Sequence, residues 1–279
     1  MEISPDLQHR LVAFLDRLAG SGPAMPDWKT VRAARWSARD NALKPILHPQ
    51  RVALGDLLDI DAQKKRVADN TRQFVAGRPA NNVLLTGARG TGKSSLVKAI
   101  HARYAPRGLR LIEVDKAGLD ALPDLFDRLA DAPWRFIVFI DDLTFGEAEP
   151  GYASLKAALD GSLAGPSDNV LIYATSNRRH LMPEYMAENL AARHVGGEVH
   201  PGEASEEKVS LSDRFGVWVA FHVMDQASYL RIARHWAARF SAPTDGAFER
   251  AALQWALERG ARNGRVAWQF ARDWAGRQA

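Results

Sequence analysis

NVLLTGARGTGKSS, residues 82–95, is the stretch on which the fold turns. Gly87, Gly92, Lys93 and Ser94 fill every fixed position of G-x-x-x-x-G-K-[ST], and the apolar run 83–85 before them has the character of a buried strand. Glycines let the backbone turn tightly enough for successive N–H groups to face one anion, and a helix starting near Lys93 adds the positive end of its dipole. The pattern predicts a phosphate cradle made by Gly87, Ala88, Arg89, Gly90, Thr91, Gly92, Lys93, Ser94 and Ser95. Within it Lys93 reaches the β- and γ-phosphates, and the Ser94 hydroxyl ligates Mg²⁺.

Downstream, about fifty residues after this loop, FIVFIDDL (136–143) is an apolar run of buried-strand length ending in two carboxylates. Adjacent acids at a strand end also serve as solvated caps. Placed after a phosphate loop, Asp141 is expected to hold the metal shell and Asp142 to orient and deprotonate a water. A third strand, 169–175, ends in Ser176-Asn177-Arg178-Arg179, where the Asn177 amide is long enough to reach a terminal phosphate or that water. SDRFG (212–216) precedes a last strand at 217–223, and helices follow at 226–240, 246–259 and 264–278.

Upstream, helices are expected at 6–18 and, after the Asp61 N-cap, up to the Gly77 stop. The second is either a wall for a nucleotide base or plain scaffold. Between Trp28 and Asp40, Arg32, Arg35, Trp36 and Arg39 share one face if the segment is helical. That face is a nucleic-acid contact or, more ordinarily, a solvated surface with one packed Trp. The polar connection 183–210 carries His194, Glu198, His200 and Glu203, whose spacing matches no metal-ligand signature.

A chain of 279 residues, 46% hydrophobic, can bury one large α/β core and a smaller helical unit. Without cysteine there is no disulfide, thiolate metal site or cysteine nucleophile. The opening MEISPDLQHR has neither a basic start nor an apolar core, and no uncharged run reaches membrane-span length, so a cytoplasmic location and no membrane partner are expected. With 37 basic and 33 acidic residues interspersed, the charge permits nucleic-acid contact without arguing for it.

The ordered set GARGTGKS, FIVFIDDL, ATSN, SDRFG and RNGRVAWQF resembles the AAA+ ATPases. PANNVLLTGARGTGKSSLVKA, FIDDLTF and SLSDRFGVWVAF are similar to the bacterial AAA+ family known as domain of unknown function 815, from about residue 45 to the C-terminus. The resemblance implies an α/β P-loop NTPase of AAA+ type, with a central parallel sheet, helices on both faces and a small all-helical lid. It divides the chain into a helical N-terminal segment (1–45), a nucleotide-binding domain (46–225) and a lid (226–279). ATP and Mg²⁺ are the implied cofactors. Lys93, Asp142, Asn177 and Arg214 are the implied catalytic set, and Ser94 and Asp141 the metal ligands.

Arg214 matches an arginine finger that acts in a neighbouring subunit, which implies a homo-oligomer joined through the Arg214 side. Arg265 matches a second sensor in the lid, with Arg262 as the competing choice. One departure matters. The water-activating residue is usually Glu but here Asp142, one methylene shorter, so hydrolysis is less secure than binding. Threading of unfolded polypeptide is disfavoured, because the loop 115–119, DKAGL, has no aromatic to grip a chain. Guanine is disfavoured because no Asn-Lys-x-Asp follows the Asp141 strand. An ATPase acting on an unknown client is thus expected first, an initiator- or loader-like DNA-binding module second, and a non-hydrolysing nucleotide switch third.

Overall fold

The structure is a computed structural model that describes residues 25–145, 151–160, 168–177, 193–195, 198–200 and 211–278, with side chains omitted at 193–200 and 278. Along the chain run β1 (Ala33–Ser37), β2 (Ala42–Pro45), α1 (Asp61–Val75), β3 (Val83–Gly87), α2 (Lys93–Tyr104) and β4 (Leu109–Val114). Then come α3 (Leu122–Ala130), β5 (Arg135–Ile140), α4 (Tyr152–Asp160), β6 (Val170–Ser176), β7 (Arg193–Val195), β8 (Glu198–His200) and β9 (Val217–Phe221). Three helices close it: α5 (Gln226–Arg239), α6 (Gly246–Glu258) and α7 (Gly264–Gln278).

Seven strands form one sheet in the order β2-β1-β4-β5-β6-β3-β9, parallel except for the β1–β2 pair. The inner strands are apolar on both faces, as parallel strands covered twice must be. Their alternation sorts the side chains. Leu84, Ile112, Val138, Ile140 and Ala174 face one way, onto Leu122, Leu125 and Leu129 of α3 and Leu155 of α4. Val83, Leu85, Ile137, Phe139 and Tyr173 face the other, onto Val67 and Phe74 of α1 and Leu96, Val97 and Ile100 of α2. A third core, with Tyr229, Phe248 and Phe270 at its centre, lies among α5, α6 and α7. Among the described residues no helix is long and apolar enough to cross a membrane.

Strand order places the site. From β3 the chain skips two places to β4, returns through β5 and β6, and adds β9 on the other side of β3. The C-terminal ends of β3, β6 and β5 therefore stand side by side, where open α/β sheets hold their ligands.

The helical reading of residues 28–40 is corrected: the segment contributes β1, hairpin-paired to β2 and parallel to β4. Spacings of three and four among Arg32, Arg35, Trp36 and Arg39 mimic a helix, but the alternation that governs is Ala34 and Trp36 inward, Arg35 outward. Trp36 is packed at 1% exposure and Arg35 is held by Glu113 at 2.8 Å, so this face offers no stacking ring. Asp61 is the first helical residue of α1, with Ile60 at the N-cap. Within 183–210 the described backbone forms the antiparallel pair β7–β8. The expected helix 6–18, Arg178, Arg179, Glu203 and the side chains of His194, Glu198 and His200 lie outside the described residues.

Candidate nucleotide site

The loop between β3 and α2 begins at Gly87, whose φ is +136°. A Cβ there would lie 2.1 Å from the Phe221 carbonyl oxygen of β9, so only glycine lets the two backbones approach this closely. Gly90, at φ +78°, sits under the lid: an added Cβ would stand 2.5 Å from the Asn263 side chain. The Gly264 N–H donates to the Gly90 carbonyl at 3.0 Å, so the lid's last helix touches the loop directly.

Lys93 is almost buried at 6% exposure. Its ammonium donates to the Gly87 and Ala88 carbonyls at 2.6 and 2.9 Å and to Asn177 Oδ1 at 2.9 Å. Burial pulls its pKa below the ordinary lysine value; Asp141 and Asp142 oppose that shift, whereas Arg265 and Arg89 add to it. Asp141 Oδ1 accepts from Ser94 Oγ and from Thr175 Oγ1, each at 2.6 Å. Asp142 stands in the left-handed region at φ +55°, its N–H donating to Thr175 Oγ1 at 3.0 Å. The Asn177 amide donates to Asp142 Oδ1, and Arg89 lies 3.7 Å from Oδ2. Ser94, Asp141, Thr175, Asp142, Asn177 and Lys93 thus form one continuous circuit across the ends of three strands.

Above the circuit opens a cleft of about 790 Å³, within the usual range for small-molecule sites, about 300–1,000 Å³. Its floor is residues 89–95 with Asp141, Asp142, Thr175 and Asn177. Leu57, Leu58 and Ile60 line it from the body, and Met224, Ile232, Trp236, Arg265 and Trp268 from the lid side. The segment before α1 therefore meets the cleft, while α1 itself packs under the sheet through Val67 and Phe74.

Asn263 accepts from the Val266 N–H at 2.9 Å, capping α7 so that Arg265 lines the cleft. Arg262 does not line it; it lies 3.5 Å from Gln226 Oε1. Arg214 is also outside the cleft, paired with Asp160 at 2.5 Å. The geometry therefore gathers residues 89–95 of the loop, Asp141, Asp142, Asn177 and Arg265, and leaves Arg214 apart. Thr175 stands in the quoted ATSN stretch but was given no role there, because a threonine ending an apolar strand does not name its partners. The apolar lining from Met224, Ile232, Trp236 and Trp268 also escaped the sequence reading, since it is divided between the segment before α5, α5 itself and α7.

The donor set suits a hard divalent ion held with phosphates. A serine hydroxyl and a carboxylate 2.6 Å apart supply oxygen only, beside a run of loop N–H groups at a helix start. Among the described residues no cluster of three or more His, Asp or Glu could hold a metal by itself.

Comparison with solved structures finds the same fold. The Holliday junction branch migration motor RuvB of Thermotoga maritima superposes at a TM-score of 0.51, with 16% identity over 79% of this chain and 63% of that one. A point mutant of the same motor gives 0.54 at 15% identity over the same shares, 79% and 63%. The Aeropyrum pernix ORC1 protein, solved in complex with DNA, gives 0.53 at 17% identity over 75% of this chain and 57% of its own. The chain thus spans less than two thirds of each neighbour's length, and the likeness is one of fold: an α/β P-loop NTPase of AAA+ type. No curated protein matches it in sequence. The family described as "Protein of unknown function (DUF815)" matches residues 29–278, nearly the whole described chain, and the protein belongs to that family.

Proposed function

We propose that the protein binds ATP with Mg²⁺ in the cleft between body and lid and hydrolyses it. The observation that carries this reading is the circuit from Ser94 through Asp141, Thr175, Asp142 and Asn177 to Lys93, laid over the loop at the ends of β3, β6 and β5. The loop N–H groups and Lys93 take the phosphates, the ammonium exchanging its carbonyl partners for phosphate oxygens. Ser94 and Asp141 hold the metal, which when bound neutralises charge on the transferring group.

Asp142 is the base. Asn177 occupies its Oδ1, leaving Oδ2 to take the proton of a water. Arg265 approaches from the lid. Arg214, paired with Asp160 away from the cleft, serves a neighbouring subunit, so the chain works as a homo-oligomer on a client still to be found. The working units are a body ending near residue 225 and the lid after it, in the cytoplasm. The stacking contact in the DNA-binding alternative loses its support, because the Trp36 ring that would stack on a base is inside the core.

Single-turnover hydrolysis measured against protein concentration tests this. Catalysis in trans predicts a rate per subunit that climbs as subunits assemble, and a drop of about 10³-fold in Arg214→Ala. A flat rate that Arg214→Ala leaves unchanged would remove the trans arginine. Tight ATP binding without turnover, unaffected by Asp142→Asn, would replace the enzyme with a nucleotide switch.

A further inference from the structure

β5 leaves the sheet ladder after Ile140, and the next three residues are all caught by one residue of β6. Thr175 Oγ1 donates to the Asp141 carboxylate at 2.6 Å and accepts the Asp142 N–H at 3.0 Å. Its main-chain carbonyl accepts the Leu143 N–H at 2.7 Å. Thr175 is 1% exposed, in register with Leu85 of β3, so it cannot drift. We propose that Thr175 is a positioning residue whose single hydroxyl sets both acids at once, aiming the metal-holding carboxylate of Asp141 and fixing the left-handed backbone of Asp142.

The chemistry of the hydroxyl makes the coupling obligatory. A threonine has one proton to give and lone pairs to receive with. Giving the proton to Asp141 turns the lone pairs toward the Asp142 N–H, so the two bonds support each other. Removing the hydroxyl leaves a carboxylate oxygen with only Ser94 and a backbone donor with no acceptor. A non-glycine residue at φ +55° needs such support, because left-handed backbone is unfavourable for a side chain with a Cβ. Asn177 then only has to meet a carboxylate already brought to it.

This inference rests on the proposed ATPase reading, and the experiment separates the two. Full-length wild type, Thr175→Val and Thr175→Ser are titrated with a fluorescent ATP analogue at rising Mg²⁺, and kcat and KM for ATP are measured alongside. Groups that orient metal ligands typically cost about 10–100-fold in metal affinity or activity when removed. Thr175→Val should therefore need about tenfold more Mg²⁺ for half-maximal binding and lose about 10–100-fold in kcat, with Mg²⁺-free binding and KM within about threefold of wild type. Thr175→Ser, which keeps the hydroxyl, should stay within about threefold throughout.

A Thr175→Val protein with wild-type Mg²⁺ dependence and kcat overturns the inference while leaving the ATPase reading intact. So does a Thr175→Ser protein as impaired as Thr175→Val, since the methyl group would then be what matters. Should Thr175→Val fail to fold, hydrogen exchange at the wild-type Asp142 amide decides: slow exchange supports the bond to Thr175 and fast exchange overturns it. A wild type that binds no nucleotide at any Mg²⁺ level removes the ATPase reading, and the inference with it.

Discussion

The two sides of the cleft are held by different kinds of bond. On the body side, two buried side chains hold two exposed acids: Thr175 donates to the Asp141 carboxylate and accepts the Asp142 N–H, and Lys93 is tied to Asn177, which donates to Asp142. On the lid side, the Arg265 side chain makes no hydrogen bond among the described residues, and the start of α7 meets the loop where Gly264 and Asn263 lie against Gly90. The lid is also attached at its root, where Leu58 packs against its core beside an ionic cluster. Asp56 accepts from His235 at 3.0 Å and Arg239 at 2.6 Å, and Asp59 pairs with Arg231 at 2.9 Å. Side chains of Arg231 and Arg239 are more than half exposed, and such pairs are individually weak. A body that is preset and a lid that is cheap to move is the division of labour expected where one side binds phosphate and the other reports on it.

Lys93→Ala strikes the preset side and should have the largest effect. It removes the only cation buried in the loop and the link to Asn177. ATP affinity or turnover should fall by about 10³-fold, comparable to losing a major charge on the transferring phosphate. Isothermal titration with Mg·ATP measures it; binding within tenfold of wild type would show that the circuit is not the phosphate site.

Acid separates the two sides. His101, on the last turns of α2, is buried with Nε2 2.9 Å from the Arg32 carbonyl. Burial pushes its pKa down to about 4; the Arg32 carbonyl opposes the shift, and the nearby Arg110 and Arg32 add to it. The unfolded chain, near 6.5, takes up this proton first, so the stabilisation is complete above about pH 6.5 and is lost as pH falls to about 4. About two and a half pKa units correspond to roughly 3 kcal/mol. Urea unfolding at pH 7 and pH 4 should show that loss in wild type and a much smaller one in His101→Gln; equal losses would put the acid sensitivity elsewhere. Asp56 behaves oppositely in range. Burial pushes its pKa up, but the hydrogen bonds and charges of Arg239 and His235 together hold it below the ordinary value, so the lid clamp weakens only as pH falls below about 4. Between these limits the body softens while the lid root stays paired.

Much of this was legible in the residues and some was not, for reasons that differ by region. Residues 82–95 announce themselves because the motif sets glycine, lysine and hydroxyl at fixed distances, and Asp141 follows because it ends an apolar strand; the fold brings it 2.6 Å from Ser94 across the intervening β6. The helix α2 begins at Lys93, where the loop motif places a helix start. The hairpin β1–β2 was not legible, since five residues of strand carry too few alternations to outvote a chance helical spacing. Thr175 was hidden for another reason: its role depends on β6 lying between β5 and β3, a fact of sheet order that no local pattern encodes. The preference for Arg265 over Arg262 and the start of the last helix at residue 264 were both legible, and α7 begins at Gly264 with Asn263 capping it.

Gly90→Ala tests the lid's contact with the loop. The new Cβ would sit within 2.5 Å of the Asn263 side chain, and alanine at φ +78° adds left-handed strain. A cost of about 1–2 kcal/mol is expected, concentrated where α7 meets the loop. Hydrogen exchange at the Gly264 amide should quicken about tenfold with body amides such as Val138 unchanged. Uniform change across both would mean that loop and lid open as one unit.

The smallest effect belongs to the lid root. Asp56→Ala removes the acceptor shared by His235 and Arg239, leaving one partly and one largely exposed base that water can satisfy, so only about 1 kcal/mol should be lost. The loss should appear as weaker protection in α5 at low salt and shrink as salt rises, because exposed charges are screened. ATP affinity should move less than twofold if the body alone sets phosphate binding. A large drop in affinity would instead mean that the lid, through Arg265, carries a share of the binding that its sparse contacts do not display, and that the preset side is only half of the site.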